Sequence, residues 1–82
     1  MDAYATALKN WLAEPDRTQE GLAEKVGVTQ PSMHRYATGE RFPERDVAER
    51  IDVETGGAVG LAIWQQVAMA RLGIGDAPAE AA

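Results

Sequence analysis

The chain has 82 residues, a formal net charge of −5 and no cysteine. This length fits one small domain with a single hydrophobic core, and the lack of cysteine excludes disulfides and cysteine-ligated metals. The chain starts without a basic segment followed by an apolar one, and its apolar runs are too short to cross a bilayer. We therefore expect a cytoplasmic protein with no membrane partner.

Two helices are predicted in the first third of the chain. The first, within DAYATALKNWLAE, carries an apolar face made of Tyr4, Leu8, Trp11 and Leu12, and Pro15 follows its end. Thr18 fits the N-cap of the second helix. The buried face of that helix is predicted to consist of Leu22, Ala23 and Val26. Gly27 supplies the left-handed conformation that a sharp turn requires.

Three more helices are predicted after that turn. The third begins after Thr29, buries Met33, Tyr36 and Ala37, and ends at Gly39. The fourth has Pro43 in its first turn and an inward face of Val47, Ala48 and Ile51, and Gly56 and Gly57 stop it. The fifth, residues 58–72, is the least polar segment. We expect residues 1–74 to form one domain and residues 75–82 a flexible tail.

The second and third helices follow the pattern of a helix-turn-helix. With Gln19 as the first of twenty positions, the pattern needs apolar or small residues at six positions and glycine at the ninth. Those six are occupied by Leu22, Ala23, Val26, Val28, Met33 and Tyr36, and Gly27 is the ninth. Helices that cross steeply over a short turn need this small, apolar underside to pack closely.

The segment TQEGLAEKVGVTQPSMHRYATGE resembles the Cro/repressor-type, or XRE, helix-turn-helix family of phages and bacteria. With RFPERDVAERIDVETGGAV it is similar to the short YdaS-like members, some of them described as putative antitoxins. The resemblance covers residues 3–59. It implies an all-α, compact five-helix fold of the lambda-repressor type, with the helix-turn-helix at helices 2 and 3. It also implies a homodimer that binds double-stranded DNA and regulates a promoter.

The outward face of the third helix is predicted to read bases in the major groove. Helical geometry, at about 100° per residue, places Pro31 and Arg35 opposite the buried Met33. The expected base-reading residues are Gln30, Pro31, Ser32, His34 and Arg35. Arg35 is the first candidate because a guanidinium pairs bidentately with guanine, and Gln30 can pair with adenine in the same way. Pro31 offers only apolar contact and replaces one contact that family members commonly make.

A second set of residues is predicted to bind DNA phosphates. Gln19 matches the family position that holds a phosphate at a helix N-terminus. Basic and hydroxyl side chains around the motif complete the set, which is Arg17, Gln19, Lys25, Thr29, Thr38, Arg41 and Arg45. The alternative is that these side chains do not contact DNA: Arg35 would then be a solvated surface arginine and His34 an exposed histidine. The charged residues of the fourth helix most simply form a solvated face with helical ion pairs.

The fifth helix carries apolar residues on two faces. We expect one face to pack on the core and the other to form a symmetric dimer interface with Trp64 or Val67 at its centre. The expected interface residues are Leu61, Ile63, Trp64, Val67 and Ala70, on faces that also include Ala68 and Ile74. The alternative is that this helix wraps the core completely.

The leading functional hypothesis is a sequence-specific transcription regulator, most simply a repressor, that binds a pseudo-palindromic operator as a dimer. The alternative is a protein-interaction module, such as an antitoxin, that uses the same fold to bind a partner protein. We expect no enzyme, cofactor or metal, because one histidine and no cysteine or phosphate-binding glycine loop leave little for catalysis.

Overall fold

The computed structural model describes residues 2–72, which form five helices and no strand. In chain order these are α1 (Ala3–Leu12), α2 (Gln19–Val26), α3 (Gln30–Thr38), α4 (Arg45–Glu54) and α5 (Leu61–Leu72). The prediction of an all-α, five-helix fold with a helix-turn-helix at α2 and α3 is confirmed. The predicted flexible tail and Ile74 lie outside the described residues. Within that range no helix has the length and apolar composition that a bilayer crossing needs.

One core joins all five helices. Helix α2 packs against α3 and α4, while α1 packs against α3 and α5. The predicted inward faces of α2, α3 and α4 are buried, as are Tyr4 and Leu8 of α1, whereas Trp11 and Leu12 are only half-buried. The largest completely buried side chains include Tyr4, Leu8, Val26, Met33 and Ile51. The helical spacing of apolar residues therefore predicted the buried faces of α2, α3 and α4 correctly, and that of α1 in its first two turns.

Within residues 2–72, Tyr4 carries the one buried side-chain polar atom without a partner. Among the described residues its hydroxyl has no hydrogen-bond partner, although the side chain is 1% exposed. Burial raises the pKa of Tyr4 above its usual value, and the negative charges of Asp52 and Tyr36 add to the effect. The hydroxyl therefore stays protonated throughout the neutral range.

Helix α4 begins later than the sequence predicted. Pro43 was expected in its first turn, but the helix starts at Arg45 with Glu44 as N-cap. Pro43 is instead buried, and its carbonyl accepts a hydrogen bond from Trp64 Nε1 at 2.8 Å. The loop before α4 is thus held by α5. Local sequence signals for helix ends cannot predict this contact, because it joins residues that are far apart in the chain.

Helix α5 also begins later, at Leu61 instead of residue 58. Gly56 and Gly57 adopt positive φ angles of 64° and 87°, and the chain makes another turn before the helix starts. Asp52 of α4 and its C-cap residue Thr55 hold this turn: Thr55 Oγ1 accepts from the Val59 N–H at 3.1 Å, and Asp52 Oδ2 accepts from the Leu61 N–H at 2.8 Å. The first turn of α5 is therefore capped by a residue nine positions earlier in the chain.

An aromatic cluster attaches α5 to the rest of the fold. Phe42 stacks on Trp64 with ring centroids 5.5 Å apart and meets Tyr4 edge-on at 6.0 Å. The Arg71 guanidinium lies 4.9 Å from the Phe42 ring centroid and 3.7 Å from the Asp2 carboxylate. Asp2 also caps α1 through the Ala5 N–H. The N-terminal end of α1, the loop before α4 and α5 thus meet in one place.

Candidate nucleic-acid interface

The turn between α2 and α3 is closed by glycine and by shared hydrogen bonds. Gly27 has φ 88°, a left-handed conformation in which a side chain would be strained. The N–H groups of Gly27 and Val28 both donate to the Ala23 carbonyl, at 2.8 and 3.0 Å. The chain therefore turns within the three residues that separate the two helices, and α3 starts next to the C-terminal end of α2.

Helix α3 starts as the sequence predicted. Thr29 is its N-cap, and Thr29 Oγ1 accepts from the Ser32 N–H at 3.2 Å. Pro31 is the second helical residue, where a missing N–H leaves no intrahelical bond unmade. The Thr29 hydroxyl donates to Ser32 Oγ at 2.9 Å, so Ser32, a predicted base reader, is already used at the cap.

Four of the five predicted base readers are exposed on one side of α3. A shallow, open concavity that we call the front groove is lined by Gln30, Pro31, His34, Arg35 and Glu40. The groove combines hydrogen-bond donors of Gln30, His34 and Arg35 with the apolar Pro31 ring and the Glu40 carboxylate. The sequence analysis missed Glu40, because Glu40 follows α3 and lies outside the twenty positions of the motif.

A second concavity, the side groove, lies where α1, α2 and α3 meet. It is lined by Lys9, Gln19, His34, Ala37 and Thr38. Gln30 Nε2 donates to Gln19 Oε1 at 3.0 Å, and His34 lines both grooves. The first residues of α2 and α3 are therefore joined, and the two grooves form one continuous surface. Lys9 was missed because its place on α1 is distant in sequence from the motif.

The residues predicted to bind phosphates differ in their contacts within the protein. Thr38 Oγ1 donates to the Arg35 carbonyl at 3.1 Å, and Arg45 pairs with Glu49 at 3.2 Å. Arg41 is exposed in the loop after α3. Phosphate binding by these three residues stays a prediction.

Arg17 and Lys25 lie away from both grooves, in a third concavity that Trp11 and Glu54 also line. The Arg17 guanidinium stacks 4.3 Å from the Trp11 ring centroid and donates to the Trp11 carbonyl at 3.1 Å. Its contacts hold the loop between α1 and α2. Phosphate binding by Arg17 and Lys25 likewise stays a prediction.

Arg50 fastens α4 to the helix-turn-helix. Its Nη1 donates to the Val26 carbonyl at 2.8 Å, while Nη2 pairs with the Asp46 carboxylate at 2.9 Å. A Cβ on Gly27 would lie 3.2 Å from Nη1, so glycine leaves room for this approach. The i,i+4 ion pairs predicted on α4 are present. Arg50 is exposed as predicted, but it also binds the last turn of α2, which the sequence did not predict.

The predicted dimer interface on α5 needs correction. Val67 is 8% exposed and belongs to the core, and Leu61, Ile63 and Trp64 are half-buried against the core. Val67 cannot be the centre of a contact with another chain, because the protomer itself covers it. Ala70 remains exposed, and Met69 is 46% exposed. Within residues 61–71 of α5, the exposed residues are 62, 65, 66, 69, 70 and 71, and Ala70 is the one among them that was predicted to lie in the interface.

Comparison with known proteins identifies the family. The chain matches the family model described as "Helix-turn-helix domain" over residues 3–58, which covers α1 to α4. The chain belongs to this helix-turn-helix family. A search of curated proteins and a search of solved structures found no match.

Proposed function

We propose that the protein is a sequence-specific regulator of transcription that inserts α3 into the major groove of duplex DNA. The observation that carries this proposal is the front groove, where Gln30, His34 and Arg35 are exposed together on one side of α3. Arg35 would pair bidentately with guanine, and Gln30 would pair with adenine. Membership of the helix-turn-helix family supports the same use of this helix.

The side groove offers the contacts that would orient the protein on the DNA. Gln19 is the first residue of α2, where free backbone N–H groups and the helix dipole favour a phosphate. Lys9 and Thr38 line the same groove and can add a charged and a neutral donor. Because the Gln30 side chain is hydrogen-bonded to that of Gln19, phosphate binding by Gln19 and base reading by Gln30 would be coupled.

The overall charge of −5 does not oppose this proposal, because the two grooves differ from the average surface. Their lining has two cations, Lys9 and Arg35, and one carboxylate, Glu40, which makes a local charge of +1. Contacts to DNA depend on the charge that faces the phosphates more than on the net charge. The negative charge elsewhere would limit non-specific binding.

The finer assignment is a Cro/repressor-type regulator similar to the YdaS-like proteins, acting as a repressor on a pseudo-palindromic operator. Two-fold symmetric proteins of this kind place their reading helices about 34–36 Å apart, one turn of the double helix. A homodimer would use the face of α5 that the protomer leaves open, with Met69 at its centre.

The dimer is tested by adding a charge to that face. Met69→Glu is expected to turn a dimer into a monomer in sedimentation, because an interface core excludes unpaired charge. Asn10→Glu adds the same charge on the exposed side of α1 and should leave the dimer intact. A wild-type protein that sediments as a monomer at micromolar concentration contradicts the proposal. Val67→Glu is a poor test, since it would bury a charge in the core.

DNA recognition is tested by selecting binding sites from a random duplex library at a stated salt concentration. The wild type is expected to enrich an inverted repeat. Arg35→Ala should lose about 1–3 kcal/mol of discrimination at one base pair of each half-site. Arg35→Lys keeps the charge and loses the rigid planar fork, so it should retain phosphate affinity and lose part of this discrimination. Unfolding curves of all three proteins must coincide for the comparison to hold.

If the folded wild type enriches no sequence, autonomous DNA recognition is wrong. The protein-interaction alternative, including an antitoxin role, would then be examined with the same variants.

A further inference from the structure

Glu40 is a carboxylate placed among side chains that face DNA in the proposed function. It lines the front groove together with Gln30, His34 and Arg35. Of the residues that line the front and side grooves, it alone is acidic. A negative charge on this surface repels phosphates and therefore weakens binding to every duplex unless it makes a compensating contact.

The backbone of Glu40 is fixed relative to α3. Gly39 ends the helix with φ 81°, and the Glu40 N–H donates to the Arg35 carbonyl at 3.0 Å and to Thr38 Oγ1 at 3.4 Å. The side chain therefore starts from a defined point at the C-terminal end of the reading helix. A carboxylate held in this way can contribute to discrimination, because little backbone order has to be gained on binding.

The Glu40 side chain is also free to accept hydrogen bonds. It is exposed, and within residues 2–72 no lysine, arginine or histidine nitrogen lies within ion-pair distance of it. Among the side chains that line the front groove, the Glu40 carboxylate is the one that only accepts hydrogen bonds when it is ionised. Gln30 and His34 each have a donor and an acceptor, the Pro31 ring has neither, and the Arg35 guanidinium only donates. Donors of this kind suit guanine, whereas the exocyclic amine of cytosine needs an acceptor.

We propose that Glu40 is a specificity-determining residue that accepts a hydrogen bond from the N4 amine of a cytosine in the major groove. This inference rests on the proposed function, because it needs α3 to lie in that groove. Carboxylates read cytosine in this way, and the contact offsets the repulsion from phosphates only at sites that present the amine. Glu40 would thus have two effects: it would strengthen binding to sites that present the cytosine amine, and it would weaken binding to all other DNA.

The experiment compares wild type, Glu40→Ala and Glu40→Gln in binding-site selection, followed by titrations against the selected site and a scrambled duplex. Glu24→Ala is the matched control, since Glu24 is an exposed carboxylate on α2 that lines neither groove. Glu40→Ala is expected to lose the preference for cytosine at one position per half-site. Its ratio of specific to scrambled affinity should fall about 5- to 150-fold. Glu40→Gln should shift the preference at that position towards adenine, because an amide pairs with adenine N6 and N7.

Two results would overturn the inference, and they differ from each other. If Glu40→Ala strengthens binding to the selected and scrambled duplexes equally, as Glu24→Ala should, Glu40 acts only as a general negative charge. If the folded wild type selects no sequence at all, the proposed function fails and the role of Glu40 fails with it.

Discussion

The bond between Arg50 and the Val26 carbonyl gives the most direct test of how α4 supports the helix-turn-helix. Arg50→Ala removes a charged donor from a partly buried carbonyl at the end of α2. It also removes an ion pair with Asp46, in which the two side chains are 49% and 65% exposed. These two losses differ greatly in their expected cost.

A hydrogen bond from a charged group contributes about 1.5–3 kcal/mol to the free energy of unfolding. An exposed i,i+4 ion pair contributes about 0.3–0.5 kcal/mol. Because half of the Arg50 side chain is exposed, we expect the lower part of the first range, and about 2 kcal/mol in total. For a domain of this size that corresponds to a fall in Tm of about 8–16 °C.

Arg45→Ala is the matched control for this measurement. Arg45 is also an arginine of α4 in an i,i+4 pair, with Glu49, and its side chain is 59% exposed. Among the described residues Arg45 has no hydrogen bond to another helix, so its substitution should lower the free energy of unfolding by less than about 0.5 kcal/mol. Urea unfolding followed by circular dichroism measures both values. Equal losses for the two variants would refute the assigned role of Arg50.

Two further predictions concern the aromatic cluster. Tyr4→Phe should change stability little at pH 7, because the buried hydroxyl has no partner among the described residues. Since the pKa of Tyr4 is raised in the folded state, the unfolded chain loses this proton first, and wild-type stability should fall above pH 10 by about 1.4 kcal/mol per pH unit relative to Tyr4→Phe. Parallel pH profiles of the two proteins in urea unfolding would contradict this reasoning. Trp64→Phe should cost about 1–3 kcal/mol, because the Pro43 carbonyl loses the indole donor while an aromatic ring remains to stack on Phe42. Trp11→Phe is its control in the same assay, and an equal loss would show that the indole hydrogen bond contributes nothing.

The helix-turn-helix was predictable because its determinants are local. Thr18, Gly27, Thr29 and Gly39 act on backbone groups within a few residues, and each has its expected role in the structure. The apolar spacing of α1 to α4 likewise depends only on helical geometry. The family match over residues 3–58 agrees with this part of the prediction.

The start of α5 and the placement of its faces were not predictable in the same way. Both depend on contacts between distant residues, such as Asp52 with the Leu61 N–H and Trp64 with the Pro43 carbonyl. A helix with apolar residues on several sides has no direction that spacing alone can select. The positions of Lys9 and Glu40 in the grooves were not predictable either, since neither residue belongs to the twenty positions of the motif and tertiary packing places both of them there.

The packing of α1 has a consequence for the order of folding during synthesis. Helix α1 leaves the ribosome before the other four helices, yet its main packing partners are α3 and α5, which are made later. The edge-on contact of Tyr4 with Phe42 spans 38 positions in the chain, and α5 follows Phe42 by almost twenty more. Helix α2 can pack against α3 as soon as both are available, whereas α1 has to wait as an amphipathic segment with an exposed apolar face. We therefore expect the helix-turn-helix to form before the domain closes around it.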